Sequence, residues 1–319
     1  MRFIRTILGD ISPDQLGVTD CHNHLFIRDG RAVERYPDFL LDNYDYIRKD
    51  IDEFHHLGGE AVVEMSPIDW GRDIDSLLRL ADETGLKIIS ATGFHKLAYY
   101  QPTYHWVYSY DEDIILQLIL DELQEGIDSN NYSGPVIKRS RAKAGVIKVG
   151  TQTGEFSEIE KKIMRAAARA HSITGAPILT HTDEGALALE QVKFLTEAGV
   201  PAHCIGLSHM DRRLDFKYHQ EVASTGVFLE YDALTRIKDN FHQTTLDLIL
   251  KMTESGFAGN ILLGSDISRQ GYWKSYGGKP GVSFLINDYR RLMQEAGLSV
   301  EQVNQFYIDN PRRFLTWAK

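Results

Sequence analysis

Two patterns of apolar residues alternate along the chain. Short apolar segments rich in β-branched residues recur at 18–25 (VTDCHNHL), 60–65 (EAVVEM), 87–94 (KIISATGF), 144–151 (AGVIKVGT), 177–182 (PILTHT), 203–209 (HCIGLSH), 226–232 (GVFLEYD) and 260–266 (NILLGSD). Segments of this length and composition read as strands. Amphipathic stretches with helical spacing lie between them, such as 73–85 (DIDSLLRLADETG) and 157–175 (SEIEKKIMRAAARAHSITG). The second opens with Ser157 and Glu160 at capping-box spacing and ends at Gly175. Strands alternating with helices predict a parallel sheet, and a count of eight favours closure into a single (β/α)8 TIM barrel. No Pro/Gly/Ser-rich linker divides the chain, so one domain over 1–319 is expected.

Composition narrows the class without changing the fold. At 43% hydrophobic and 25% charged, the chain reads as an ordinary soluble globular protein. No apolar run approaches the length of about 18 residues that a membrane span needs. The start, MRFIRTILGDISPDQLG, carries no apolar signal core, and the two cysteines, Cys21 and Cys204, make no disulfide framework. A reducing, cytoplasmic setting is the expectation. The formal net charge of −10 argues against a binder of nucleic-acid backbones, although a local basic pocket for a small anion remains compatible with it.

The longest irregular stretch runs from Lys96 to Tyr110 and carries Tyr99, Tyr100, Tyr104, His105, Trp106 and Tyr108. Long loops in compact domains often form lids or substrate walls; an aromatic plug over the barrel rim or an oligomer contact explains the composition equally well. A second loop, Arg269 to Gly281, follows the last strand, and Asp128 to Lys143 reads as a polar surface connection.

Barrels of this kind place functional groups at the carboxyl ends of their strands. Five of the predicted strands deliver metal-competent groups there: His22 and His24, Lys148, His181, His209 and Asp266. An i, i+2 pair of histidines projects from one strand face and can share a divalent ion. A lone histidine at a strand end is usually a hydrogen-bonded surface or core residue, but five strands sharing the feature by chance is improbable. Lys148 is the odd member, because a buried ammonium is costly without a partner. It is a structural ion-pair partner, a desolvated amine that forms a Schiff base, or an amine carboxylated by carbon dioxide. Four histidines and an aspartate nearby favour the carbamate, whose two oxygens can bridge two cations; a Schiff-base enzyme has no need of those histidines.

These residues resemble the binuclear centre of the phosphotriesterase-like branch of the amidohydrolase superfamily. The likeness covers nearly the whole chain, through ISPDQLGVTDCHNHL, AGVIKVGT, THTDEG, GLSHMDR, GSDI and NPRRFL. It implies a (β/α)8 barrel and hydrolysis by a metal-bridging hydroxide. It also implies that His22, His24 and Asp266 hold one metal, that His181 and His209 hold the other, and that carboxylated Lys148 bridges them. Asp266 would take the proton of the hydroxide and pass it to the leaving group. Two features depart from the family pattern. Asn23 stands where His-Glu-His is usual, and its side chain should point away from the metals. Met-Asp-Arg-Arg after His209 replaces the acidic run of organophosphate-degrading members, which puts phosphotriester hydrolysis in doubt.

The expected activity is therefore that of a metal-dependent hydrolase, foremost a lactonase acting on an anionic sugar lactone that carries phosphate in one version of the reading. Alternatives are an acyl-chain lactonase, or a phosphotriesterase or carboxylesterase with organophosphate side activity, or an inactive metal-binding barrel serving as a binding protein. The substrate anion would meet Arg236, Lys238, Arg269, Lys274 and Lys279, on the two loops where this fold commonly anchors phosphate. Tyr99 and Tyr100 would add hydroxyl donors. Mixed nitrogen and oxygen ligands suit two divalent ions, zinc first, with manganese, iron or cobalt as alternatives. The expected partner is a small-molecule substrate, with neither nucleic acid nor membrane. A homodimer, common among soluble enzymes, is left open.

Overall fold

The computed structural model describes residues 2–100 and 105–317, so Tyr104 lies outside the described residues. A short antiparallel hairpin, β1 (Ile4–Thr6) and β2 (Gly9–Ile11), precedes eight strands of one sheet. These are β3 (Thr19–Asn23), β4 (Ala61–Glu64), β5 (Lys87–Gly93), β6 (Val146–Gly150), β7 (Ile178–His181), β8 (Ile205–Ser208), β9 (Phe228–Tyr231) and β10 (Ile261–Leu263). All eight fall inside the segments read from the sequence. They pair in parallel and in sequence order, with helices between them, as a TIM barrel requires. The last gap is bridged from β10 to β3, where the N–H groups of Ser265 and Asp266 donate to the carbonyl of His22 at 3.0 and 2.8 Å.

The anticipated helices start and stop where their capping residues stand. The Ser157 side chain accepts from the N–H of Glu160, and the Glu160 carboxylate reaches back to the N–H of Ser157 at 2.9 Å, opening the helix Glu158–Thr174. Gly175, at φ 83°, ends it in the left-handed conformation. The helix Ile74–Thr84 is capped by Asp73, whose carboxylate accepts from Ser76 N–H.

Two-residue alternation divides the barrel interior into layers. Val146, Leu179, Phe228 and Leu262 join Cys21, Val63, Ile89 and Ala91 in one buried apolar plug. Two residues onward on the same strand faces stand Lys148, His181 and Glu230, and four residues beyond Leu262 stands Asp266, so the polar layer lies toward the carboxyl ends. On β3 the pairing with β4 slips between Asp20 and Asn23, which lets Cys21 join the plug while His22 and His24 both serve the polar layer.

The hairpin had no counterpart in the sequence reading. Its Ile4, with Leu16 and the C-terminal Phe314 and Leu315, belongs to the same apolar plug. Phe3 O accepts from the N–H of Trp317 at 2.9 Å, so both ends of the chain meet there. No described helix is long and apolar enough to cross a membrane, and both cysteines are buried and free.

The seam between β10 and β3 admits no side chain at Gly264, where a Cβ would sit 2.5 Å from Cβ of His22 and 2.9 Å from its backbone nitrogen. Gly264→Ala should therefore destabilise the protein by about 1–3 kcal/mol through overpacking. Urea unfolding measures this, and an unchanged midpoint would mean that the seam has room to spare.

Candidate metal centre and substrate cavity

The expected ligands converge on the mouth of the barrel. His22, His24, Lys148, His181, His209 and Asp266 are all buried, with at most 6% of their surface exposed. Ligand atoms of His22, His24 and Asp266 lie within 4.8 Å of one another. Nε2 of His22 and of His24 stand 3.8 and 3.6 Å from Oδ1 of Asp266. The rings of His181 and His209 are 4.4 Å apart, and that of His209 is 5.1 Å from His22. Two of these positions use backbone that L-residues seldom adopt: His209 at φ 66° and Asp266 at φ 44°. Such outliers persist where the surroundings over-determine them, commonly at functional sites.

Each of the four histidines is held by one ring nitrogen and presents the other inward. Nδ1 of His22 meets Oε2 of Glu230 at 2.7 Å, and Nδ1 of His209 meets Oδ1 of Asp232 at 2.8 Å. His24 Nδ1 meets Oγ of Ser66 at 2.9 Å, and His181 Nε2 meets Oδ1 of Asp183 at 3.1 Å. Nε2 of His22 and Nδ1 of His181 are buried without a hydrogen-bond partner among the described residues. Oxygen partners that fix the tautomer while a bare nitrogen faces the centre are the usual support of metal-binding imidazoles. Burial also keeps three of these rings neutral, as ligation demands: it pushes His22 and His209 well below the usual histidine range and His181 down to about 3, and the neighbouring His95 is lowered in the same way. The donor set thus fits a divalent metal site.

A second close grouping, His22, His209 and Asp232, was not foreseen. Asp232 meets the Nδ1 atoms of those rings, at 3.6 Å from His22 and 2.8 Å from His209. It therefore stands behind the imidazoles and anchors them, leaving the Nε2 atoms for a metal. Asn23 turns away as expected: its Nδ2 donates to Oδ2 of Asp20 at 3.0 Å. Asp20 in turn accepts from the backbone N–H of His22 and Ser265 at 3.1 and 3.0 Å, tying the two seam strands together.

Lys148 is fully buried, and its Nζ donates to the Met65 carbonyl at 2.9 Å. No carboxylate pairs with it at salt-bridge distance among the described residues, although Asp266, Glu230, Glu64 and Asp232 lie near enough to favour its charged form. Burial pushes its pKa down to about 8, so roughly a tenth of the amine is uncharged at pH 7, far more than for an exposed lysine.

Asp266 is held by two guanidinium groups. Its Oδ2 accepts from Nη2 of Arg212 at 2.6 Å and from Nη2 of Arg236 at 2.7 Å. Burial alone would raise its pKa, but Arg236, the nearby His24 ring and Arg212 outweigh it and hold the group well below the usual carboxylate range. Arg212 belongs to the Met-Asp-Arg-Arg segment that departs from the family pattern. Its neighbour Asp211 accepts from the N–H of Ala233 at 2.9 Å and fastens the strand-nine loop.

The basic residues divide. Arg236, Lys238, Arg269 and Lys279 line one cavity of about 390 Å³, together with Asp38 and Tyr272. Lys274 does not join them. Its Nζ is engaged by Glu53 at 2.5 Å and by Ser283 at 3.1 Å, because its turn packs against the helix Tyr44–His56. The tyrosines divide too. Tyr99 sits beside Trp70 and His95, with ring centres 5.6 and 4.4 Å away. Tyr100 is fully buried; its hydroxyl donates to Ile68 O at 2.9 Å and accepts from the N–H of His95 at 3.0 Å. Both lobes of that hydroxyl are used, so Tyr100 supports the backbone and is no donor to substrate.

Sequence reasoning passed over Glu230, Asp232, Asp183, Ser66 and His95. The first two stood in a recognised strand at the same two-residue spacing as the plug residue Phe228, and that spacing was the available signal. The others lie just past strand ends, where only the folded chain tells a site residue from a loop residue.

The model of the phosphotriesterase family matches residues 2–315. A phospho-furanose lactonase of Mycoplasmopsis synoviae (strain 53) is 37% identical over 325 residues, covering 99% of this chain and 92% of the relative. An amidohydrolase from Mycoplasma synoviae superposes with a TM-score of 0.96 at 35% identity, over 100% of this chain and 93% of that one. A lactonase from Listeria monocytogenes does so with a TM-score of 0.92 at 32% identity, over 99% of this chain and 100% of the other. With this donor set at the mouth and a likeness that runs through the whole barrel, the chain belongs to the phosphotriesterase family of metal-dependent hydrolases.

Proposed function

We propose that the protein opens a phosphorylated sugar lactone. One observation carries this reading above the others: Arg236 reaches Asp266 at 2.7 Å and also forms the wall of a cavity with Lys238, Arg269 and Lys279. A lactone whose phosphate occupied that cavity would bring its ring to the histidines. The names of the relatives, a phospho-furanose lactonase and a lactonase, support the same substrate class.

His22, His24 and Asp266 would hold one divalent ion and His181 and His209 the other, with Lys148 as a carbamate between them. Bound there, the ions would supply an activated water and a Lewis acid for the carbonyl. The lowered pKa of Lys148 favours the carbamate, since only the uncharged amine adds carbon dioxide. Oδ1 of Asp266 faces the histidines and would accept the proton of the attacking water, then return it to the leaving alkoxide. Arg212 and Arg236 keep Oδ2 fixed and the group ionised, ready to accept.

A panel of aldonolactones with and without a terminal phosphate tests the substrate. A charge-assisted contact contributes roughly 1.5–3 kcal/mol, about 10- to 150-fold. Arg269→Ala should raise KM for the phosphorylated lactone by an amount in that range and leave its neutral analogue unchanged. Equal effects on both would reduce the cavity to a solvated basic patch. A preference for neutral, hydrophobic lactones would replace this reading with an acyl-chain lactonase.

A further inference from the structure

Arg269 lines the basic cavity, but its charge is already engaged there. Its Nη1 lies 2.8 and 2.7 Å from Oδ1 and Oδ2 of Asp38, a carboxylate of the same cavity wall. Asp38 comes from the turn Pro37–Phe39, in the loop between His24 and the helix Tyr44–His56. The other cavity cations are placed differently. Arg236 is engaged by Asp266, and among the described residues Lys238 and Lys279 meet no carboxylate at salt-bridge distance.

The pair with Asp38 has the form of a replaceable contact. Arginine grips a carboxylate best with two nitrogens. Here one nitrogen serves both oxygens, and among the described residues Nε and Nη2 have no acceptor. With 36% of the arginine side chain and 52% of the aspartate side chain exposed, water screens the pair and keeps it weak. The guanidinium does not depend on Asp38 for its position. Its centre lies 4.4 Å from the Phe39 ring and 4.9 Å from the Tyr36 ring. Beside it, Gln270 Nε2 donates to Leu40 O at 2.8 Å and fastens the two loops together. Arg269 therefore stays at the cavity whether or not Asp38 holds it.

A phosphate entering the cavity meets Asp38 as a rival. Both are anions, both need the same guanidinium, and like charges repel. We propose that Asp38 is an internal counter-ion of the cavity, which occupies Arg269 in the empty site and yields it to the phosphate of the substrate. Asp38 then sets how tightly anionic substrates bind, because each must displace a carboxylate that a neutral lactone leaves in place. The inference deepens the proposed function and rests on its assignment of this cavity to the substrate's phosphate. Its prediction has a definite sign: loss of this ion pair strengthens binding.

The test uses the metal-loaded protein as wild type, Asp38→Asn, Arg269→Ala and the double variant. Asparagine keeps the size of Asp38 without its charge. Calorimetric titration with inorganic phosphate, and KM for phosphorylated and neutral lactones, are measured for each. Asp38→Asn should bind phosphate roughly 2- to 5-fold more tightly, the scale of an exposed ion pair, and lower KM for the phosphorylated lactone by the same factor. Arg269→Ala shows how much phosphate binding the metals provide without this guanidinium, and in the double variant the gain should vanish. Weaker phosphate binding in Asp38→Asn overturns the inference and makes Asp38 an aligner of Arg269; unchanged binding overturns it and makes Asp38 a bystander. A gain that survives the loss of Arg269 overturns it too, reducing Asp38 to one charge among several. So does an equal fall in KM for the neutral lactone, which would trace the effect to loop packing. A wild-type protein that opens no phosphorylated lactone removes the substrate reading, while tighter phosphate binding in Asp38→Asn would still uphold the exchange at Arg269.

Discussion

Lys148→Met should leave a folded barrel that no longer retains two divalent ions. Methionine matches the length of the lysine stem and suits a fully buried position, so the apolar plug below it should survive. It cannot supply an anion between His22 and His24 on one side and His181 and His209 on the other. Loss of an outer partner of a metal ligand typically costs 10- to 100-fold in affinity or activity. Loss of the group between two ions should exceed that, so activity should fall by more than about 10²-fold. Metal analysis after supplying bicarbonate and metal together is the direct measurement. Intact Lys148→Met protein holding two ions as tightly as wild type would end the carbamate assignment. Lys148→Ala separates the remaining chemistries: added acetate should restore activity if a carboxylate is needed there, whereas rescue by methylamine would return the lysine to the role of an amine.

Asp266→Asn is expected to cut turnover by about 10²-fold or more, the usual contribution of a positioned acid–base group. The side chain keeps its size, but it loses the charge that Arg212 and Arg236 grip at 2.6 and 2.7 Å. An amide N–H turned toward either guanidinium would add repulsion, so some reorientation of Arg236 and of its cavity wall should accompany the loss. Single-turnover kinetics on a metal-replete sample isolates the proton-transfer role from metal loss. Near-normal turnover in that sample would remove Asp266 as the proton acceptor.

The sequence alone determined the elements that depend on local periodicity and on residue chemistry. Eight apolar segments were legible as strands because parallel strands are buried on both faces and read as near-continuous hydrophobic runs. The capping box of Ser157 and Glu160 and the stop at Gly175 were legible because helix ends are satisfied by residues within one turn. That His22, His24, Lys148, His181, His209 and Asp266 would meet at one mouth was legible because a barrel gathers its strand ends there, so position along each strand predicts position in space.

Only the tertiary structure could decide what depends on distant partners. The hairpin Ile4–Thr6 and Gly9–Ile11 is too short to announce itself, and it is held by the barrel floor it closes. Lys274 and Arg269 look alike in the sequence and each meets a carboxylate, yet Glu53, more than two hundred residues before Lys274, holds it outside the cavity, whereas Arg269 pairs with Asp38 on the cavity wall. Tyr99 and Tyr100 are neighbours, but the short helical turn Leu97–Tyr99 ends between them, leaving Tyr99 beside His95 and Trp70 and Tyr100 fully buried. Glu230, Asp232 and Arg212 gained their roles only when the barrel closed and set them behind His22, His209 and Asp266. The physical division is one of range. Hydrophobic periodicity and caps act over a few residues and are written locally, whereas the partner of a buried charge is chosen by the closed barrel.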